Sequence, residues 1–178
     1  MTLVVRPARH GDEARLAKVY VASGRAAWAG NMLEETLAAF TSPVEEWEEA
    51  ISDPDVSILV AELGGEIAAL ATLLPSKDPD ADPAEVAMLG RLYAEPAAWG
   101  KGLGRVLLAA CMEELKRRGF REATLWTAEW NRTRGFYEAH GWHWDGATRE
   151  QTLAGESWTE VRYRIEVSRG RESAPQTS

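Results

Sequence analysis

The chain of 178 residues holds a single cysteine, Cys111, so an internal disulfide is impossible and a zinc site built on paired cysteines is excluded. Histidine is scarce too, with only His10, His140 and His143. The last two could share a metal, but nothing nearby completes a ligand set; they read as polar residues at a helix end, and no metal is expected. No apolar run approaches the roughly 20 residues of a membrane-spanning helix. The opening MTLVVRPARHGDEARL lacks the basic-then-apolar layout of a signal peptide, so a cytoplasmic protein with no membrane partner is expected. Basic charge is also in deficit. A formal net charge of −8 argues against nucleic acid as a partner, because phosphate binding needs a basic face.

What is present fits an ordinary globular chain, with 45% apolar and 27% charged residues. The length suits one domain with a real core, as a monomer or homodimer. That domain is expected over residues 1–167. The tail SRGRESAPQTS, residues 168–178, is polar and apolar-poor and is expected to be disordered.

Periodicity orders the elements. Residues 3–6 read as a strand stopped by Pro7, and Leu16, Val19 and Tyr20 fall at helical spacing within a helix from about Ala14 to Ala27. Helices are expected from Leu33 to Phe40 and again after Ser42-Pro43, a cap with proline at the first helical position. Strands 57–63 and 66–74 flank Gly64-Gly65, a hairpin signal. After the Asp- and Pro-rich loop 76–85 comes a strand at 86–94, then a helix from about Leu103 to Arg118 with Cys111 on its apolar stripe. A strand at 122–127, a helix from Asn131 to Ala139, and strands around Trp142–Asp145 and Trp158–Val167 complete the chain. A meander followed by a β-α-β crossover implies an α/β (α+β) fold: a mixed, mostly antiparallel sheet with helices on both faces.

The segment LYAEPAAWGKGLGRVLL carries the clearest chemistry. A strand delivers the chain to a turn with Gly100, Gly102 and Gly104, and a helix starts there. Glycine lets consecutive N–H groups point inward, and the helix adds unpaired N–H groups and the positive end of its dipole. The product is a nest for a phosphate or pyrophosphate, with Lys101 and Arg105 beside it. A Walker loop fails because Gly102 follows Lys101, and a dinucleotide fingerprint fails at its third glycine.

These residues resemble the coenzyme A motif of the GCN5-related N-acetyltransferase (GNAT) family, Gln/Arg-x-x-Gly-x-Gly/Ala. Gly102 and Gly104 match it, and Trp99 stands where the family has Gln or Arg. LWTAEWNRTRGFYEAHGW is similar to the family's later motif through Asn131, Phe136, Tyr137 and Gly141. The likeness spans about residues 2–167. It implies a sheet of about seven strands and transfer of an acetyl group from acetyl-CoA to a primary amine, by direct attack through a tetrahedral intermediate.

Residue by residue, the resemblance implies that the backbone of Leu92, Tyr93 and Ala94 holds the pantetheine arm. Trp99, Gly100, Lys101, Gly102, Leu103, Gly104 and Arg105 would hold the pyrophosphate, and Asn131 would contact the pantetheine. The Ala94 N–H would be the oxyanion donor and Tyr137 the general acid; a phenol near pKa ~10 and a thiol near ~8.5 are close enough for proton delivery. Met88 stands where many members carry a glutamate base, leaving Glu85 or Glu95 as candidates.

The acceptor stays open. Glu34, Glu35, Glu45, Glu46, Glu48 and Glu49 either suit a polyamine or are solvated helix faces. Trp28 and Trp47 either line an acceptor pocket or belong to the core. A small-molecule amine, a protein or peptide amine, and a non-catalytic acyl-CoA sensor are the three readings carried forward.

Overall fold

The computed structural model describes residues 2–167. The expected disordered tail, residues 168–178, lies outside them. The order is β1 (Leu3–Pro7), α1 (Glu13–Trp28), α2 (Glu34–Ala39), α3 (Val44–Ser52), β2 (Ser57–Leu63), β3 (Glu66–Pro75) and β4 (Val86–Ala94). A 3-10 turn at Pro96–Ala98 then leads to α4 (Leu103–Arg117), β5 (Glu122–Ala128), α5 (Arg134–Ala139), β6 (His143–Leu153) and β7 (Glu156–Glu166).

The strands form one seven-stranded sheet in the order β1-β2-β3-β4-β5-β7-β6. All neighbours are antiparallel except β4 and β5, which α4 joins as a parallel pair. The two-residue period of a strand explains the layers. Leu59 and Ala61 of β2 face a cluster containing Leu103, Leu107, Cys111 and Leu115 of α4. Ile58 and Val60, which alternate with them, face a second cluster with Leu16 and Val19 of α1 and Trp47 of α3. Helices therefore cover both faces.

Three boundaries differ from the sequence reading, each for a local reason. Ser42 does not cap α3; its hydroxyl accepts the Trp47 indole N–H at 2.8 Å, and Pro43 is the residue before the helix. Helix α5 begins at Arg134, because the Asn131 side chain accepts the Thr133 N–H at 3.0 Å and holds residues 131–133 in a turn. Strand β6 runs on to Leu153, where a short strand was expected near Trp142–Asp145. It is an edge strand with polar side chains, and a register shift between Trp144 and Thr148 breaks its alternation.

Candidate active site

β4 and β5 pair only at Val86↔Glu122, Ala87↔Ala123 and Met88↔Thr124. Beyond Met88, β4 stays bonded to β3 while β5 stays bonded to β7, so the two strands part. The parting starts at a β-bulge. Thr72 of β3 faces Arg91 and Leu73 faces Leu89, which leaves Gly90 as the extra residue. A bulge increases local twist and bends its strand. Glycine fits there without crowding: a Cβ would stand 3.0 Å from both Leu74 Cδ2 and Thr72 Oγ1, which would have to give way.

The gap opens into a cavity of about 920 Å³, at the upper end of small-ligand sites. Leu92, Tyr93 and Ala94 line one side, and Leu125, Trp126 and Thr127 the other. Glu95 donates its N–H to Ala68 of β3 at 2.8 Å. Alternation along the strand turns the preceding N–H and C=O, those of Ala94, to the gap. The Ala94 carbonyl is met there by the Trp99 indole N–H at 2.7 Å.

The floor of the gap is the start of α4. Gly102 precedes the helix at φ +81°, in the left-handed region, and no side chain caps the N–H groups that follow. Trp99, Gly100, Gly102, Leu103, Gly104 and Arg105 all line the cavity; Lys101 is exposed and does not. A strand edge with unused backbone groups, leading to an uncapped helix N-terminus, fits an extended molecule with an amide-bearing arm and a pyrophosphate.

Asn131, Phe136 and Tyr137 approach from the β5 side. Asn131 donates to the Thr127 hydroxyl at 3.1 Å, which ties the turn before α5 to β5. Tyr137 is buried against Phe136 and Trp142 and lines the cavity. Burial raises its phenol above the ordinary value, with a smaller push from Cys111, so the group is neutral throughout the physiological range. The Cys111 thiol is buried on α4, outside the cavity lining, and desolvation pushes it up to about 12.

Neither candidate base reaches the cavity. Glu85 pairs with Arg121 at 2.5 Å and Glu95 with Arg15 at 2.8 Å, and neither lines the site. The six glutamates of α2 and α3 are exposed and also lie outside it, while Trp47 is core and Trp28 lines the cavity. Sequence reasoning missed Ser23, Arg91, Trp126, Arg132 and His140, all in the lining. His140 Nδ1 lies 2.7 Å from the Phe136 carbonyl, which can only accept, so Nδ1 donates in that bond. Among the described residues, no group of three or more His, Cys, Asp or Glu could hold a metal, and no helix is long and apolar enough to cross a membrane.

A parted parallel strand pair above a glycine-rich helix start is a geometry that an acyl-coenzyme A fits. The family model described as acetyltransferase (GNAT) family matches residues 27–142. The chain belongs to that family and is an acetyl-CoA-dependent transferase with an amine acceptor. Among solved structures it resembles the PaiA N-acetyltransferase of Thermoplasma acidophilum in complex with coenzyme A, at TM-score 0.77 and 21% identity, covering 93% of this chain and 99% of that one. The yncA protein of Salmonella typhimurium, solved with acetyl-CoA, gives 0.74 and 20% over 100% of both chains. The ribosomal-protein-S18-alanine N-acetyltransferase of Escherichia coli gives 0.71 and 18% over 97% of this chain and 99% of that one. At these identities the likeness speaks for the fold. No curated protein matches the chain in sequence.

Proposed function

We propose that the chain acetylates a primary amine on a small molecule, and that the gap between β4 and β5 holds the pantetheine of acetyl-CoA. The carrying observation is the run of unpaired strand edge from Leu89 to Ala94 into the uncapped start of α4, with Tyr137 beside it. Acetyl-CoA supplies the activated acetyl group as a thioester. In the transfer a C–N bond forms and a C–S bond breaks; the amine gives up a proton and the sulfur takes one.

The chain's own groups are assigned as follows. The N–H groups of Gly102, Leu103, Gly104 and Arg105 hold the pyrophosphate, with Trp99, Gly100 and the exposed Lys101 shaping its rim. Leu92, Tyr93 and Ala94 bond the arm as another strand would, and Asn131 bounds it opposite. The Ala94 N–H faces the thioester oxygen and stabilises the charge that develops there. Tyr137 delivers the proton to sulfur. Its raised phenol is a weaker acid than an exposed one, and desolvation that raises the phenol also makes a thiolate formed beside it a stronger base. No carboxylate lines the cavity, so the amine enters neutral or loses its proton to water or to His140 in the lining.

The turn between α1 and α2 is tied to the β6–β7 hairpin: the Leu33 N–H donates to Glu156 at 3.0 Å, and the Trp28 and Trp158 rings stand 5.9 Å apart. With the hairpin tied across the turn whose Trp28 and Asn31 line the cavity, a small acceptor is favoured over a peptide. The test is thiol release from acetyl-CoA with a panel of small amines and peptides. Release with small primary amines is expected. Tight acetyl-CoA binding without release for any acceptor would leave only a sensor role.

A further inference from the structure

The lining of the cavity is oddly charged for this chain. Against a net charge of −8, it includes Arg91, Arg105 and Arg132 and no carboxylate. Arg105 and Arg132 are exposed and stand at the α4 and α5 ends, where a pyrophosphate needs cations. Arg91 is different. It lies on β4 just past the bulge, half-buried, with its guanidinium 4.9 Å from the Tyr20 ring centroid and 5.0 Å from that of Trp47.

Ring faces attract a cation but accept none of its five N–H groups in the plane. Among the described residues Arg91 has no carboxylate within ion-pair distance and no hydrogen-bond acceptor. The buried Arg162 shows the usual arrangement, with Asp78, Asp80 and Asp145 all around it. A guanidinium held on ring faces at the cavity, with no carboxylate or acceptor of the chain on its N–H groups, is free to take a ligand's anion. A second group waits on the same side. The Ser23 hydroxyl is 2% exposed, lines the cavity and has no hydrogen-bond partner. It stands one turn beyond Tyr20 on α1, on the same helix face.

We infer that the amine acceptor carries its own anionic group, a carboxylate or phosphonate, and that Arg91 binds it with the Ser23 hydroxyl alongside. This rests on the transferase reading above. The planar fork of arginine suits such a group in two parallel hydrogen bonds. Arg91 is three residues before Ala94 on β4, about 10 Å along an extended strand, so the anion sits to one side of the reacting nitrogen. Polyamines would bring more positive charge to Arg91 and are disfavoured.

The experiment compares matched acceptors with acetyl-CoA and the full chain. L-methionine, L-phenylalanine and a graded series of ω-amino carboxylates are each set against the amine of the same skeleton without the carboxylate, with spermidine as the polycation. The expected result is a preference of about tenfold or more in kcat/KM for one or more anionic members, the size of a charged hydrogen bond. Arg91→Met should raise KM for those members about tenfold, leave KM for acetyl-CoA and turnover of the neutral amines unchanged, and be partly rescued in Arg91→Lys. Inhibition of the wild type by the N-acetylated carboxylate, and not by the N-acetylated neutral amine, reads the same contact without any variant. Release with neutral amines or spermidine at equal or better efficiency overturns the inference and leaves the transferase standing. So does an Arg91→Met variant that slows all acceptors alike. No release with any acceptor sinks both.

Discussion

The Trp99 indole N–H donates to the backbone carbonyl of Ala94 at 2.7 Å, joining the rim of the glycine-rich turn to the last residue of β4. Trp99 itself is half exposed, so the bond serves position more than burial. It holds the N–H assigned to the oxyanion at a fixed place above the start of α4. Trp99→Phe keeps a ring and removes the donor. A net hydrogen bond is worth about 1 kcal/mol, so the thermal midpoint should move little while kcat/KM falls about fivefold. Steady-state kinetics beside a melting curve check this; a fall in melting temperature with unchanged kinetics would make Trp99 merely structural.

Tyr137→Phe removes one oxygen from a side chain that is otherwise held by ring packing. Fold and coenzyme A affinity should persist, while turnover falls about 10²- to 10⁴-fold, the range of a lost general acid. The pH profile carries the sign. An acid must be protonated to act, and burial raises this phenol above its usual value near ~10. The wild type should therefore show no alkaline loss of turnover from this group up to about pH 10. A loss centred well below that would assign the acid elsewhere.

Gly102 sits at φ +81° immediately before α4, with open space where a Cβ would go. Gly102→Val should act through the backbone, since left-handed geometry costs a residue with a Cβ about 1–2 kcal/mol and more for a β-branched one. The turn should relax and coenzyme A binding should weaken more than tenfold by calorimetry. Gly65, at φ +91° in the β2–β3 hairpin, gives the control. Gly65→Val carries the same kind of strain far from the cavity and should leave the dissociation constant alone.

The order of elements was legible because each helix and inner strand repeats its apolar residues at its own period. The glycine-rich turn was legible because it lies in one continuous stretch of chain. The bulge at Gly90 was not read, though a glycine inside a strand is its usual sign. What favours glycine there is the cross-strand approach of Leu74 and Thr72, which linear order does not display. Arg91 was missed for a related reason. Which rings its guanidinium meets depends on how α1 and α3 pack over β4. Strand β6 looked shorter than it is, because edge pairing with β7 rests on backbone bonds and ion pairs such as Arg149–Glu160, and not on an apolar face. Glu85 and Glu95 lie close in sequence to the site, yet each side chain is taken by an arginine outside it.

The last prediction concerns stability in acid. Arg162 of β7 is almost fully buried and pairs with Asp78 at 3.3 Å, Asp80 at 2.6 Å and Asp145 at 2.8 Å, tying the loop between β3 and β4 to β6 and β7. The Asp80 carboxyl is held down to about 2 by its bonds to Arg162, although its exposure weakens what that contributes to stability. Burial pushes the Asp145 carboxyl up, but the Ala147 N–H and Arg162 outweigh it and the net shift is downward. Carboxyls lowered on folding stabilise fully above their unfolded value near ~3.9, and the stabilisation is lost as pH falls through the folded value. The melting temperature should be flat near neutrality and fall from about pH 5 towards pH 2. Arg162→Met leaves the buried Asp78 without its counter-charge, while Asp145 keeps Arg164, and should cost about 3 kcal/mol at neutral pH. Its deficit should shrink as the acids protonate. Melting curves of both proteins across that window decide the matter: a deficit constant with pH would place the acid sensitivity outside this cluster.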